Sequence, residues 1–326
     1  MKKRLVIICG ILDFLALLCL FIAYGPINIF RDWFIPTSLA SWTHQYFAQT
    51  IYSDSQIRKV LNSMGTNSPD SDSDSSQIIF DNTDPLTYSS IYEEQVLKRD
   101  EQDVYKIIEI EGNTYKGHVL VVYDPSRISL EISPNVKTGG QKISSLAKSF
   151  DALAAVNASG FIRNSATGTL SPDGTFIIDG KLYKDEGGGI IGFNNDNVLV
   201  LTNDSPTEAI SKGMKDAVSF GPFLIVNGEA ATFSKGGGYG LRPRTAVGQR
   251  KDGIILFVVI DGNSIGTSGV DMEELTNIFI RYGAYNAANL DGGGSSSLYA
   301  GGQLINNPTG WGYQGERYLP NAWIIK

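Results

Sequence analysis

Cysteine is almost absent from this chain of 326 residues, which has only Cys9 and Cys19. Both lie near its start, so the remainder can form no disulfide and offers no cysteine for a nucleophile or a zinc site. Histidine is equally rare, since only His44 and His118 occur. A histidine cluster around a metal is therefore excluded, and we interpret both histidines as structural residues.

Positive charge is also scarce. The 34 acidic residues outnumber the 27 basic ones and give a net charge of −7. Basic residues cluster only in the first few positions, which excludes nucleic acid as a partner. Hydrophobic residues make up 42% of the chain, enough to bury a sizeable core in one large domain.

One long hydrophobic run is present, at the N-terminus. Three cations precede an apolar stretch from Leu5 to Tyr24, close to the roughly 20 residues that a membrane-spanning helix needs. No small-residue cleavage site follows it, although a cleaved signal peptide is the alternative. By the positive-inside rule the cations stay in the cytoplasm. The sequence therefore predicts a single transmembrane anchor over 1–25 in the cell membrane, with the C-terminal domain extracellular.

Three further regions follow the predicted anchor. Residues 26–64 carry aromatic side chains suited to the membrane–water interface, and we interpret them as a juxtamembrane helical region. Residues 65–103 begin with "GTNSPDSDSDSSQ", which has nothing to bury and predicts a partly disordered linker. From Val104 onward, runs such as "VYKIIEI" and "GHVLVVYD" are typical of strands. The globular domain is therefore predicted over 104–326.

A regular order of elements precedes the glycine-rich stretch "NLDGGGSSS". The runs "TAVGQ" and "IILFVVI" flank "RKDG", which is typical of a β-hairpin. In "DMEELTNIFIRYGA" the apolar residues fall on one helical face, Asp271 and Glu274 fit a capping box, and Gly283 fits the helix stop. The short strand "YNAANL" follows. A helical crossover of this kind returns the last strand parallel to "IILFVVI".

Three charged residues lie at the ends of these strands. Arg244 precedes the first hairpin strand, Asp261 follows the second, and Asp291 follows the strand after the helix. Because hairpin strands are antiparallel and the crossover returns the chain, all three positions should meet at one edge of the sheet. Ligands collect beyond the carboxyl ends of strands in such sheets. The sequence therefore predicts a crevice that contains two carboxylates and an arginine.

Five stretches together resemble the phosphodiester glycosidase family: "AVNASGF", "SFGPFLIVNGE", "RPRTAVGQRKDG", "VVIDGNSIGTSGVDMEEL" and "ANLDGGGSSSL". The best-known members of that family remove N-acetylglucosamine from the phosphodiester that masks mannose 6-phosphate. A glycine is common in the family after the Asn of the first stretch, where this chain has Ala158. The resemblance implies an α+β domain with a mixed β-sheet and packed helices, and hydrolysis of a sugar-1-phosphodiester.

The chemistry of glycoside hydrolysis gives these residues candidate roles. Its transition state resembles an oxocarbenium ion, and two carboxyl groups usually catalyse the reaction. We expect Asp291 to stabilise that charge or to attack C1, and Asp261 to act as base or partner. Arg244 could bind phosphate through two parallel hydrogen bonds. The further candidates for substrate binding are Asn157, Asn289, Gly292, Gly293, Gly294 and Ser295, the glycines through main-chain N–H groups that face an anion.

Other interpretations stay open at the level of sequence. Asp261, Asp291 and backbone carbonyls could hold calcium, although no cofactor is otherwise expected. The substrate could be a surface glycan without phosphate, or the domain could bind glycans without catalysis. The expected partners are a phosphorylated glycan of the cell envelope or exopolysaccharide and, through the N-terminal helix, the membrane. Ser296 and Ser297 are interpreted as loop hydrogen-bonding residues, because no histidine is available to activate them.

Overall fold

The computed structural model describes residues 28–39, 72–80, 87–233, 240–262, 266–310 and 313–326, together with a few isolated positions before residue 70. The chain divides into one compact unit of Met1–Thr66 with Phe233–Gly240 and a second of Asn67–Thr232 with Leu241–Lys326. In the first unit, helix α1 (Asn28–Leu39) contributes Ile35 to a small buried cluster with Tyr52.

The predicted anchor over 1–25 lies mostly outside the described residues, as do Cys9, Cys19 and His44. Among the residues that are described, no helix combines the length and the apolar character needed to cross a membrane. The anchor and the membrane location therefore stay predictions.

Strands dominate the second unit. Its helices are α2 (Ile91–Leu97), α3 (Ile143–Ser149), α4 (Pro206–Ser211) and α5 (Met272–Arg281), with 3-10 turns at Ser75–Gln77, Pro125–Arg127, Val136–Thr138 and Gly293–Ser295. The strands in chain order are β1 (Tyr105–Glu111), β2 (Lys116–Val122), β3 (Ile128–Ile132), β4 (Ala154–Asn157), β5 (Phe161–Arg163), β6 (Leu170–Pro172), β7 (Phe176–Ile178), β8 (Lys181–Lys184), β9 (Ile190–Asn194), β10 (Leu199–Thr202), β11 (Met214–Ser219), β12 (Phe223–Val226), β13 (Glu229–Ala230), β14 (Arg244–Arg250), β15 (Ile255–Ile260), β16 (Ala284–Leu290), β17 (Leu298–Ala300), β18 (Gln303–Leu304), β19 (Thr309–Gly310), β20 (Tyr313–Gln314) and β21 (Asn321–Ile325).

These strands form three larger sheets and two small hairpins. The largest sheet has the order β1-β2-β15-β14-β16-β12-β13, and the two five-stranded sheets have the orders β10-β9-β11-β7-β8 and β18-β17-β4-β21-β3. Side chains from all three sheets meet in one hydrophobic core, where the ring of Phe193 stands edge-on to that of Trp323 at 5.3 Å. The predicted α+β domain, in which sheets dominate and a few helices pack on them, is confirmed.

Helix α5 covers the outer face of the largest sheet. Its apolar residues Leu275 and Phe279 are fully buried, as the helical periodicity predicted. A Cβ at Gly248 of β14 would lie 2.7 Å from the ring of Phe279, so the close packing of helix on strand requires glycine there. The central strands β14 and β15 are thus buried on both faces.

The N-terminal cap of α5 differs in one detail from the prediction. The Asp271 carboxylate accepts a hydrogen bond from the Glu274 N–H at 2.8 Å, as expected. The Glu274 side chain does not complete the capping box, because its carboxylate accepts from the Tyr115 hydroxyl at 3.1 Å and from Arg281 at 2.7 Å. The pairing with Arg281 ties the first turn of the helix to its last.

All strand pairs in the described part are antiparallel, including β14 with β15 and β14 with β16. The predicted hairpin is therefore confirmed, and β15 and β16 run parallel to each other on either side of β14. The crossover helix returns the chain in the predicted direction, but the returning strand pairs with the far side of β14 and not with β15. As a result β14 lies between the two strands that end in Asp261 and Asp291.

Residues 72–80, which belong to the predicted linker, contact the domain. The Ser73 N–H donates to the Leu201 carbonyl at 2.9 Å, and the Ser73 hydroxyl accepts from the Leu201 N–H at 2.8 Å. The Asn227 side chain accepts from the Asp74 N–H at 2.7 Å. These bonds occupy backbone groups of β10, an edge strand, whose exposed edge would otherwise invite pairing with another chain.

Helix α2, in the same predicted linker, is also attached to the domain. Val96 is fully buried, and its carbonyl accepts from the Tyr123 hydroxyl at 2.8 Å. The Tyr282 hydroxyl donates to the Gln95 side chain at 2.9 Å. The described parts of 65–103 thus add contacts to the domain, while the domain boundaries drawn from the sequence stay a prediction.

Candidate active site

Three strand ends meet at one edge of the largest sheet. Arg244 pairs with Ile260 of β15, and the next residue of β14, Thr245, pairs with Leu290 of β16. Asp261 and Asp291 directly follow Ile260 and Leu290, so both emerge beside the start of β14. The predicted meeting of these three positions is confirmed by the register, although their side chains turn to different partners.

The main chain of Asp291 is held by the end of β4, which belongs to another sheet. The Asp291 N–H donates to the Ala158 carbonyl at 3.3 Å, and the Asp291 carbonyl accepts from the Asn157 side-chain amide at 2.5 Å. The Asn157 side-chain oxygen accepts from the Thr245 hydroxyl at 2.8 Å and the Ser297 N–H at 3.0 Å. Asn157 is only 1% exposed, so it joins the strand ends and does not line the open crevice.

The carboxylate of Asp291 lies in a partly buried position beside four other groups. Burial raises its pKa to about 6, and the negative charge of Asp173 acts in the same direction. A hydrogen bond from the Ser295 side chain, the charge of Arg317 and the Gly292 N–H oppose that rise. A carboxylate whose pKa is shifted mainly by desolvation, with a second acid close by, is typical of catalytic sites.

The glycines after Asp291 are required by close packing and by backbone conformation. A Cβ at Gly292 would lie 3.0 Å from the Pro243 carbonyl oxygen, while Gly293 has a φ of 60°, a region that favours glycine. The Gly293 N–H donates to the Pro243 carbonyl at 2.8 Å. Gly294 lies inside the following turn, Gly293–Ser295. The Gly292 and Gly293 N–H groups, predicted to face a substrate anion, are therefore directed to Asp291 and Pro243.

Arg244 lies behind this glycine turn. It is 7% exposed, and its Nε donates to the Val270 carbonyl at 3.3 Å. A Cβ at Gly292 would be 3.8 Å from the Arg244 Cδ, which places the aliphatic part of the arginine against the turn. The side chain predicted to bind phosphate is thus buried below the loop that carries Asp291.

Asp261 holds a different part of the chain. Its carboxylate accepts from the Asn306 side-chain amide at 2.8 Å and from the Asn307 N–H at 3.1 Å. The neighbouring Gly262 carbonyl accepts from the Thr309 hydroxyl. Asp261 and Gly262 therefore hold both ends of the segment from Asn306 to Thr309. Among the residues that the structure describes, the Asp261 carboxylate forms no hydrogen bond with Asp291 or its partners.

The calcium alternative required Asp261 and Asp291 in one cluster. The hydrogen bonds recorded for the two carboxylates go to different residues. Over the described residues, the structure contains no group of three or more His, Cys, Asp or Glu side chains placed to hold a metal ion. A site made of two carboxylates and backbone carbonyls is smaller than such a group, so the calcium alternative stays a prediction.

Asn289 and the serines of the loop are buried. The Asn289 side-chain amide donates to the Gly221 carbonyl at 2.8 Å, and its oxygen has no partner within the described part of the chain. The Ser297 hydroxyl donates to the Ser295 carbonyl at 2.9 Å. Ser296 is 1% exposed and its hydroxyl has no described partner. Ser297 therefore stabilises the loop, as the sequence predicted, whereas the same prediction is wrong for Ser296 within the described part of the chain.

Two residues at the site were not found from the sequence. Asp173 stands in "SPDG", an ordinary turn signal, and its N–H donates to the Gly160 carbonyl at 2.8 Å. Arg317 stands near the C-terminus, where its guanidinium lies 4.5 Å from the centre of the Phe161 ring and donates to the Ser295 hydroxyl at 3.3 Å. Asp173 directly follows β6, a short strand that the sequence did not predict, and Arg317 lies between β20 and β21.

The chain is similar in sequence to known proteins. Residues 150–326, just over half of the chain, match the model of the family described as phosphodiester glycosidase. The chain is 33% identical over 182 residues to the SPbeta prophage-derived uncharacterized protein YomE of Bacillus subtilis, covering 52% of this chain and 28% of that protein. It is 28% identical over 225 residues to the N-acetylglucosamine-1-phosphodiester alpha-N-acetylglucosaminidase of Mus musculus, covering 61% and 42%. The matches thus span less than half the length of these relatives.

A solved structure gives the same fold. The catalytic domain of the zebrafish N-acetylglucosamine-1-phosphodiester alpha-N-acetylglucosaminidase superposes with a TM-score of 0.56 at 23% identity. The match covers 70% of this chain and 85% of the zebrafish chain. At that identity the likeness establishes the arrangement of strands and helices.

Proposed function

The chain belongs to the phosphodiester glycosidase family, and from that premise we propose that it hydrolyses a sugar-1-phosphodiester at the anomeric carbon. In this reaction water adds to C1, the bond between C1 and the bridging oxygen breaks, and the electron pair leaves with a phosphomonoester. The products are a free sugar and that phosphomonoester. The position of Asp291, at the meeting point of the strand ends, is the observation that carries the proposal.

Asp291 is the group that faces C1. Positive charge develops on the sugar as the phosphate leaves, and an ionised carboxylate beside C1 stabilises it or forms a bond to it. With its pKa raised to about 6, Asp291 is ionised at neutral pH yet poorly solvated, so its charge acts on the substrate with little screening by water. A phosphomonoester is a weak base, so its departure requires little help from an acid.

Asp173 is the second carboxylate of the site. Its negative charge adds a small contribution to the raised pKa of Asp291. A pair of acids flanking the scissile bond is the common arrangement in glycosidases. Asp173 is therefore the group that accepts a proton from the attacking water, a role the sequence had given to Asp261.

Other residues of the site position Asp291. Asn157 holds its main chain, and the Gly292 N–H and Ser295 hydroxyl hold its carboxylate. A catalytic group fixed in this way loses little entropy as the transition state forms. Arg244 supports the turn from below, and Asn289 contributes a buried amide oxygen behind the crevice.

The biological substrate class is a phosphorylated glycan of the cell envelope or exopolysaccharide, and the protein acts outside the membrane that anchors it. This part of the proposal rests on the apolar N-terminal run and on the lack of cysteine beyond it. The name of the mouse relative supports N-acetylglucosamine, in the alpha configuration, as the first sugar to test.

The first experiment measures release of free N-acetylglucosamine from the methyl diester of N-acetylglucosamine 1-phosphate, using the full chain in detergent. Wild-type protein should release the sugar, and the Asp291→Asn variant should not. Binding of the diester by both proteins without release from either would favour the alternative of a glycan-binding module. Release from an aryl glycoside but not from the diester would favour a glycosidase of unphosphorylated glycans.

A further inference from the structure

A pocket of about 220 Å³ has Arg317 in its lining, and this arginine donates to Ser295, in the loop that follows the candidate catalytic acid. It is lined by Phe161, Arg163, Leu170, Glu316, Arg317 and Tyr318. We propose that this pocket is the subsite for the phosphate and the second organic group of the diester, and that Arg317 is the residue that binds the phosphate. The inference rests on the function proposed above, since it takes Asp291 as the group facing C1.

The charge of the pocket suits an anion. Of its charged side chains, Glu316 is already engaged, because its carboxylate accepts from the Ser144 N–H at 2.8 Å and from the Ser144 hydroxyl at 2.9 Å. Arg163 and Arg317 form no ion pair with a residue that the structure describes. Neither guanidinium is neutralised by an ion pair of that kind, although the charge of Arg317 also acts on Asp291. Guanidinium is well matched to phosphate oxygens.

The pocket is connected to Asp291 by hydrogen bonds. Arg317 donates to the Ser295 hydroxyl at 3.3 Å, and the Ser295 side chain donates to the Asp291 carboxylate. Two hydrogen bonds thus separate the guanidinium from the catalytic acid. In a sugar-1-phosphodiester a single bridging oxygen separates phosphorus from C1. When C1 of the bound sugar lies at Asp291, the phosphate therefore lies within reach of Arg317.

Arg317 is also oriented for this task before substrate binds. Its guanidinium lies 4.5 Å from the centre of the Phe161 ring, a cation–π contact with a buried aromatic side chain. The bond to Ser295 engages one terminal nitrogen, which leaves further N–H groups of the planar fork to bind two phosphate oxygens. Arg244, by contrast, lies behind the glycine turn with its Nε on the Val270 carbonyl.

The far wall of the pocket is apolar. Leu170 is buried, and the Tyr318 ring stands at the rim with the residue 54% exposed. A phosphate held by Arg317 would direct its second substituent along these side chains. The pocket therefore favours a diester, whose phosphate carries an organic group on both sides, over a sugar-1-phosphate monoester.

The test compares two substrates that share the same sugar and anomeric configuration: the methyl phosphodiester and an uncharged nitrophenyl glycoside. For Arg317→Gln we expect kcat/KM on the diester to fall by about 100-fold, as for loss of a charged hydrogen-bonding group. The rate on the nitrophenyl glycoside should change by less than about 3-fold. Arg317→Lys, which keeps the charge and loses the fork, should lie between wild type and Arg317→Gln on the diester.

The matched control is Arg99→Gln. Arg99 also lies over an aromatic ring, that of Tyr123, at 3.9 Å. Tyr123 follows the end of β2 that is remote from the candidate site, so the Arg99→Gln variant should leave both rates unchanged. An equal loss on both substrates in Arg317→Gln would show that Arg317 only orients Asp291 through Ser295. No loss on the diester would also overturn the phosphate assignment.

A binding measurement separates failure of this inference from failure of the proposed function. If wild-type protein cleaves neither substrate, methyl phosphate is titrated into wild-type and Arg317→Gln protein by calorimetry. A Kd at least about 10-fold weaker in the variant would support an anion subsite in a protein with another reaction. Equal binding by the two proteins, or none by wild type, would overturn the inference.

Discussion

The side-chain amide of Asn157 donates a hydrogen bond of 2.5 Å to the main-chain carbonyl of Asp291, across 134 positions of sequence. This bond links the end of β4 in one sheet to the end of β16 in another. The same Asn157 side chain accepts hydrogen bonds from Thr245 and Ser297. One buried amide thus fixes the place where the sheets meet, and with it the position of Asp291, the proposed catalytic acid.

Replacing Asn157 should therefore lower catalysis as well as stability. Asn157→Ala leaves three groups unpaired, and two of them belong to the fully buried residues Thr245 and Ser297. Each group that water cannot reach costs on the order of 1–3 kcal/mol of folding free energy. Because Asp291 would move relative to C1, we expect kcat to fall by at least about 10-fold at a temperature where the variant remains folded. Steady-state kinetics and thermal unfolding measure the two effects.

Asn164→Ala is the control for that experiment. The Asn164 side chain also accepts from two main-chain N–H groups, those of Ala166 and Thr167, but in an exposed loop. It should leave kcat unchanged. If Asn157→Ala lowers the melting temperature and keeps full kcat, the amide only holds the fold together.

The charge of Asp291 should act mainly in the chemical step. We expect Asp291→Asn to lower kcat by at least about 100-fold, the scale for loss of one preorganised electrostatic group, with a smaller effect on KM. Ser296→Ala and Ser297→Ala should cost far less, since their hydroxyls lie in the loop interior. An inactive Ser296→Ala with active Asp291→Asn would identify a serine nucleophile and contradict the assignment.

The same Asp291→Asn variant should be more stable than wild type at neutral pH. The pKa of Asp291 is about 6 in the folded protein against an ordinary value of 3.8. The folded state therefore holds the proton more tightly, and wild-type stability falls as pH rises from about 4 to about 6. Ionising Asp291 in the folded state costs at most about 3 kcal/mol of stability, from the difference between the two pKa values. This cost applies in full above pH 6 and is absent in the variant.

Unfolding by urea at several pH values tests this expectation. The variant should gain stability relative to wild type above about pH 6 and lose that advantage below about pH 4. An advantage that grows toward low pH would mean that the pKa of Asp291 is lowered in the fold and not raised.

Asp173 should influence the pH dependence of the reaction. If the ionised form of Asp291 is the active one, kcat/KM rises with pH through about 6 in wild type. Asp173→Asn removes a negative charge that raises the pKa of Asp291, so this rise should move to lower pH. The maximal rate should also fall, because the proposed base is lost. An unmoved pH profile would mean that the two acids are not neighbours.

The sequence predicted the parts of the site that depend on strand order. The hairpin signal "RKDG", the amphipathic helix of Met272–Arg281 and the loop after Leu290 were enough to bring Arg244, Asp261 and Asp291 to one edge. These predictions succeeded because local turn chemistry and hydrophobic periodicity determine the direction of each strand.

The partners of those residues could not be predicted in the same way. Asp261 turns to Asn306, and Asp291 lies near Asp173 and Arg317, all of which reach the site from outside the block that runs from Arg244 to Asp291. Their positions depend on how the three sheets pack together, which local patterns do not encode. Likewise, the Glu274 side chain left the predicted capping box because Tyr115 and Arg281 compete for its carboxylate.

The position of bond cleavage tests the central proposal most directly. Hydrolysis of the methyl diester of N-acetylglucosamine 1-phosphate is run in H₂¹⁸O, and the methyl phosphate is analysed by mass spectrometry. Attack of water on C1 places the heavy oxygen in the sugar, so we predict methyl phosphate without label. Methyl phosphate that carries one heavy oxygen would show attack at phosphorus, and would contradict a glycosidase acting through Asp291.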